Sequence, residues 1–354
     1  MLSQINNLDE FEAEYRKGIG TEIDLNKQRF LTEASRDNIM NFADAVGDNN
    51  PLWTDEEYAS KSRFGMITAP PTFIYNIHHG STPSNIGTIS VPVFNITLLY
   101  AGAEFEFFRP VRLGDKISVK GKAADVVRKQ SKSLGPMLFV TGEASYFNED
   151  HELVGIIRTT TCRYATPSKQ SIEFDHQARG EVAARSPDLL AFERKRRGSE
   201  KRYWEDVEAG MEMTPVLEKG ILTMTEIFRF GLFVPPGQRR IEVKREVLDI
   251  GFERETHQKR AGLENASDYG PQRICWLGQM VTDWMGDDGT LKKLSAQIRH
   301  PNIIGDVNVI KGKVTKKYIK DGEHLVDCEI WVENQAGLNT APGTTTVALP
   351  SREG

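Results

Sequence analysis

A carboxylate, an amide and a proline stand together at Asp48, Asn50 and Pro51, inside the run Gly47-Asp48-Asn49-Asn50-Pro51, which only a turn accommodates. Trp53 follows closely. Further along, Ala69-Pro70-Pro71-Thr72-Phe73 puts two prolines at what reads as the first turn of a buried helix, leaving the amides of Thr72 and Phe73 free to donate. His78 and His79 come nearly two turns after Pro71. These residue types suit one kind of chemistry. A carboxylate on a turn can take a proton from water, amides at a helix start favour a developing negative charge, and an imidazole exchanges a proton near neutral pH. The plainer alternative is that Asp48 serves only to close an Asx-type corner, which Asp-Asn-Asn-Pro does unaided.

Those residues need elements to hold them. Ser35 precedes an apolar pattern at Ile39, Phe42, Ala43 and Val46, which predicts a capped helix ending near Gly47 and delivering Asp48 to its place. From Pro70 a second helix is predicted to about His79, with Phe73, Ile74 and Ile77 on one buried face. Four strand-like segments follow, at about 99–108, 115–128, 136–148 and 152–164, separated by Gly114-Asp115, Ser133-Leu134-Gly135-Pro136 and Asn148-Glu149-Asp150. A helix followed by an antiparallel meander predicts an α+β domain whose sheet wraps one helix, and argues against a βαβ nucleotide-binding fold.

The chain then repeats itself. RPVRLGDKISVKGK at 109–122 aligns without gaps on HPNIIGDVNVIKGK at 300–313, sharing Pro, Gly, Asp, Lys, Gly and Lys at six of fourteen positions, and Thr-Thr-Thr recurs at 159–161 and 344–346. Duplication explains this better than chance. By analogy, Arg202 to Gly210 opens a second half, Ile227, Phe228 and Phe230 mark a short helix matching 35–46, and Asp268-Tyr269-Gly270-Pro271 stands where Ala69-Pro70-Pro71 stood. A second central helix over Ile274 to Trp284 and strands near 291–299, 306–318, 323–333 and 338–348 complete it. The polar stretch 166–200 reads as a linker between domains at 1–165 and 201–354. Its run Glu193-Arg194-Lys195-Arg196-Arg197 is either solvated surface or a contact for phosphates.

Asp48, Asn50, Pro51 and the Ala69-Pro70-Pro71-Thr72-Phe73 helix start resemble the MaoC-like family of acyl-thioester hydratases and dehydratases, whose overhanging segment reads D-x-N-P-x-H. The second half's opening phrase is similar to the start of many MaoC-like domains. The resemblance implies a tandem, double hot-dog: two long central helices, each wrapped by an antiparallel sheet, with the sheets joined edge to edge. It also implies hydration or dehydration of an acyl-CoA or related thioester, with Asp48 holding water, Asn50 orienting it or stabilising the loop, helix-start amides at Thr72 and Phe73 facing the thioester oxygen, and no cofactor. One position departs from the motif. Trp53 stands where the family's hydratases place histidine, and an indole donates one hydrogen bond without exchanging a proton. His78 and His79 are the substitutes within reach in sequence, and Trp53 is expected to shape an acyl pocket. The second half lacks the motif altogether: Pro235-Pro236-Gly237 interrupts its place and His257 has no partner at that spacing, so Tyr269 and Gly270 are read as pocket residues, with Tyr269 also a candidate proton donor. A non-catalytic acyl-CoA-binding subunit of a heteromeric dehydratase and a hot-dog thioesterase are the alternatives. Family habit implies a homodimer.

Bulk properties set the outer limits. A chain of 354 residues with 39% hydrophobic and 27% charged residues has the composition of two soluble globular domains. A net charge of -5 gives no broad basic field, so nucleic acid is not an expected partner. No apolar signal core appears in the first twenty residues, and Val91 to Ala103, interrupted by Asn95 and Thr97, is too short to cross a bilayer, so neither secretion nor a membrane is expected and a cytoplasmic location is. Cys162, Cys275 and Cys328 lack the spacing of a disulfide or zinc framework and read as small buried hydrophobes; no metal site is expected.

Overall fold

Buried and less buried side chains alternate along several of the strands that build the sheet. The computed structural model describes residues 4–26, 31–77, 93–132, 134–165, 200–233 and 266–353. His78, His79, His257, Pro235-Pro236-Gly237 and the basic run at 193–197 lie outside them. In the first half, after helix α1 (Leu8–Lys17), come β1 (Ile23–Asp24), α2 (Arg36–Val46), the short α3 (Glu56–Ser60), β2 (Ile96–Phe107), β3 (Ser118–Ser131), β4 (Gly135–Phe147) and β5 (Leu153–Ala165). Leu138, Val140, Ala144 and Tyr146 of β4 are buried while the residues between them are less so, the period-two pattern of a strand with one face on a core. The second half follows the same order: β6 (Leu217–Ile221), α4 (Met224–Phe233), α5 (Gly270–Met285), β7 (Thr290–Gln297), β8 (Val307–Lys320), β9 (Glu323–Glu333) and β10 (Asn339–Ala348).

Among the described residues ten strands form one antiparallel sheet in the order β1-β3-β4-β5-β2-β7-β10-β9-β8-β6. The order is palindromic about the β2–β7 seam, where Gly102 to Glu106 pair with Gln297 to Lys293. Helix α5 is the filling of the second half: nearly every side chain from Pro271 to Met285 is buried. This is a double hot-dog, α+β, as the sequence predicts.

The duplication holds in atomic detail. Gly114 and Gly305 take positive φ of 92° and 96°. Asp115 and Asp306 each accept from the backbone three residues earlier, Arg112 N at 2.7 Å and Ile303 N at 2.9 Å. Both glycine amides donate at 3.0 Å to the residue before a helix cap, Ala34 or Leu222. Even the bulges match, falling after Ala123 in β3 and after Val314 in β8.

The first half differs in its central helix. Pro71–Asn76 is a 3-10 helix, opened by Phe73 N donating to Pro70 O at 2.8 Å, and the predicted run to about His79 is described only as far as Ile77. Proline nitrogens at 70 and 71 have no proton to give, so the first bond available is this three-residue one. Cys162, Cys275 and Cys328 are free and buried, as read from their spacing. Among the described residues no helix is long and apolar enough to cross a membrane.

The seam sets a steric condition. Gly102 has φ +150°, and a Cβ there would lie 2.3 Å from Ala296 O on β7. Gly102→Ala is therefore expected to destabilise the protein by roughly 2 to 4 kcal/mol through backbone strain and overpacking, read as a lower midpoint in urea unfolding; an unchanged midpoint contradicts the close seam.

Candidate functional site at the joint between the halves

Helix α2 delivers the acidic corner. Ser35 caps its start by accepting from Asn38 N at 3.3 Å, and Gly47, left-handed at φ 73°, ends it. Asp48 N then donates to Ala43 O at 2.8 Å, Asp48 Oδ1 accepts from Asn50 N at 3.1 Å, and Asn50 Oδ1 accepts from Leu52 N at 2.8 Å. Two successive Asx-type bonds thus lock the corner. It is also buried: Asp48 is 4% and Asn50 1% exposed. A polar corner this deep requires partners, and those for its Val46 and Gly47 carbonyls come from the second half.

Lys219, on edge strand β6, reaches Val46 O at 2.9 Å and Gly47 O at 3.2 Å, and its ammonium also meets Gln279 Oε1 of α5. Gln279 Nε2 donates to Gly47 O at 3.0 Å. A bulge between Glu218 and Gly220 makes this reach possible, with Gly220 at φ 71° turning Lys219 out of register. Lys219 also lies in the field of Asp48, Asp283 and Glu226, but burial is the larger effect and pulls its pKa from 10.5 down to about 8. Cys275, one turn before Gln279 on α5, shares this neighbourhood with Asp48, Lys219 and a Thr72 hydrogen bond, and burial pushes its thiol up to about 12. Thr72 itself packs so tightly on α5 that a Cβ at Gly278 would lie 2.8 Å from its methyl group.

Beside the corner lies a cavity of about 280 Å³ running between the halves. Asn50, Trp53, Thr68, Pro71 and Ile74 form one side, and Thr282, Met285 and Leu291 the other. Arg63, Arg109 and Asp287 stand around it with Phe107 and Phe108. Arg63 bridges the halves here, donating to Gly289 O at 2.6 Å and Thr290 Oγ1 at 2.9 Å, while Tyr58 OH meets Asp287 Oδ2 at 2.5 Å. Thr282 Oγ1 donates to Gln279 O at 2.9 Å, so the cavity's α5 wall continues directly into the residue that holds Gly47.

Comparison with known proteins now places the chain. The family model described as FAS1-like, dehydratase domain region, matches residues 19–156. A UPF0336 protein of Streptomyces avermitilis is 33% identical over 87 residues, 25% of this chain and 58% of that protein, so the chain spans well under two thirds of that relative. A 3-hydroxybutyryl-CoA dehydratase of Methylorubrum extorquens is 25% identical over 121 residues, 32% of this chain and 71% of that one. Among solved structures, one described as a MaoC-like dehydratase superposes with a TM-score of 0.70 at 17% identity, covering 95% of this chain and 99% of its own. Residues 19–156 match the FAS1-like dehydratase region, and the whole chain has the double hot-dog fold of the MaoC-like dehydratase structure.

In this double hot-dog the predicted residues divide into three groups. Asp48, Asn50, Thr72 and Trp53 come together at the joint: the first three around α5 and the corner, Trp53, 4% exposed, in the cavity wall. Phe73 is buried nearby, in edge contact with Phe42, but its amide already donates to Pro70 O, which corrects the expectation of a free donor there; the Thr72 amide precedes that bond. Tyr269 and Gly270 stay apart. Tyr269 caps α5 and Gly270 begins it, ten and nine residues before Gln279 and about 14 to 15 Å away by helical rise; there Tyr269 packs on Gly231 and Tyr100 fills the space a Gly270 side chain would need. His78 and His79 lie outside the described residues.

Lys219 and Gln279 are the residues that sequence reasoning missed. Each left a signal: a lysine next to a glycine inside a strand marks a bulge that re-aims a side chain, and a glutamine in an otherwise apolar central helix demands a polar partner. The lowered pKa of Lys219 has a testable sign. The folded state holds this proton more weakly than the unfolded chain, so the unfolded state binds more protons between about pH 8 and 10.5 and stability from this group rises across that window. Urea unfolding at several pH values is expected to show wild type gaining on Lys219→Met as pH rises through the window; a constant difference contradicts the shift.

Proposed function

We propose that this chain is an acyl-thioester hydratase or dehydratase, moving water onto or off the double bond of an enoyl thioester of the acyl-CoA type at the joint between its halves. The observation that carries the reading is the buried Asp48 corner seated on α5, sharing Asn50 with the wall of a largely apolar cavity. Leu52, Trp53, Ile74, Met285 and Leu291 suit an acyl chain, and Arg63 and Arg109 nearby suit the phosphates of a coenzyme. In the hydration direction, water oxygen bonds to the β carbon and its proton passes to the Asp48 carboxylate. The double-bond electrons move onto the thioester oxygen as an enolate, and as the carbonyl reforms the α carbon takes the proton held by Asp48, restoring the carboxylate. Thr72, at the first turn of the 3-10 helix and against α5, offers the donors for that oxygen.

A second reading is a non-catalytic acyl-CoA-binding subunit working with a partner that supplies the Asp-His pair. Trp53 favours it, because it fills the position of the family's histidine and lines the cavity.

Asp48→Asn separates the two. Asparagine retains the Oδ1 acceptor that Asn50 N needs, so the corner keeps its shape while the base is lost. With crotonyl-CoA and longer or branched enoyl-CoAs, hydration followed by loss of the enoyl absorbance is expected to fall by roughly a hundredfold or more. If wild type and variant are equally inert while both bind the acyl-CoA, the binding-subunit reading holds instead.

A further inference from the structure

The corner carries a cation that the family's D-x-N-P-x-H motif does not contain. We propose that Lys219 is the positioning residue for Asp48, a cross-joint stand-in for the imidazole that Trp53 displaces, holding the carboxylate's backbone and balancing its charge from the second half. The proposal rests on the hydratase reading of the same site.

Three observations carry it. First, Lys219 is delivered there by construction. The β6 bulge and the left-handed Gly220 exist in an edge strand only five residues long, and their effect is to turn this one side chain toward α2. Second, its hydrogen bonds go to Val46 O and Gly47 O, the carbonyls just before Asp48, and Gln279 ties ammonium and Gly47 O together. Helix α2 has no basic residue in its own last turn, so the cation favoured at its C-terminus comes from the other half. Third, the carboxylate is in the ammonium's field. Asp48 from the turn, Glu226 from α4, and Asp283 and Cys275 from α5 all act on Lys219, while Arg229 of α4 acts on Glu226 and reaches Asp44 O at 3.4 Å. A base that must take a proton from water needs a fixed orientation and a nearby positive charge to remain a carboxylate between turnovers. Lys219 supplies both through one side chain. With its pKa lowered to about 8 it does so at neutral pH and stops doing so within an accessible range.

A cap that merely stabilised α2 would predict a lower melting temperature on substitution and nothing more. Positioning predicts a pH signature. Enoyl-CoA hydration is to be followed from roughly pH 6 to 10 for wild type, Lys219→Arg and Lys219→Met, with thermal melts alongside. Wild type is expected to lose rate above about pH 8. Lys219→Arg, whose cation does not titrate, keeps most of the rate and carries that limb about one pH unit or more upward. Lys219→Met loses about tenfold or more in kcat at neutral pH with KM changed less, and the gap to wild type closes at high pH, where the wild-type amine is neutral too. Should Lys219→Met not fold, the arginine profile alone decides. An active wild type whose alkaline limb persists unchanged in Lys219→Arg, or a folded Lys219→Met with wild-type rate and profile, overturns the positioning role and leaves the hydratase reading intact. A wild type that binds enoyl-CoA without converting it overturns the reading and the role together.

Discussion

The β2–β7 hydrogen bonds make one structure out of two copies. Because Gly102 to Glu106 pair with Gln297 to Lys293, the two curved sheets run on as a single ten-stranded surface, and every element packed on it takes a fixed place relative to its duplicate. Helix α5 consequently lies within reach of both halves. Its buried length packs on β2 as well as β7, and its middle turns receive Thr72 and the end of α2 from the first half. The corner's side chains are bonded within the turn, and the Val46 and Gly47 carbonyls just before its buried carboxylate are satisfied by Lys219 and Gln279 from the opposite half.

Duplication with divergence then explains the asymmetry. The turn at Gly114-Asp115 and its copy at Gly305-Asp306 are retained to within tenths of an ångström in their hydrogen bonds, because each ties the approach to β3 or β8 to the residue before a helix cap. The elements beside the joint have diverged. The first half keeps the Asx corner and has a 3-10 start at Pro71, while the second keeps the long α5 and contributes a lysine and a glutamine.

Local chemistry was legible in the sequence and distant chemistry was not. The strands are marked by turn residues with a known conformational demand, and the α2 cap and the Asp48 corner are set by bonds spanning five residues or fewer, so both are readable from adjacent letters. The amide of Phe73 was misjudged because the absence of proline protons was weighed without the three-residue bond it leaves open. Lys219 lies 173 residues from Val46, and only the bulge at Gly220 and the seam geometry bring them together. Tyr269 was drawn toward the site by analogy with Pro70, yet helical rise alone places it more than two turns from Gln279.

The central claim is that the Asp48 corner and the adjoining cavity form one thioester site shared by both halves. A crystal structure with a non-hydrolysable acyl-CoA analogue in which a methylene replaces the thioester sulfur and the carbonyl is kept tests it most directly. The acyl chain is predicted to lie in the cavity between Trp53 and Met285, with the carbonyl turned toward Asp48 and Thr72 and the phosphates near Arg63. An analogue bound elsewhere on the sheet, with the corner and cavity untouched, contradicts the account.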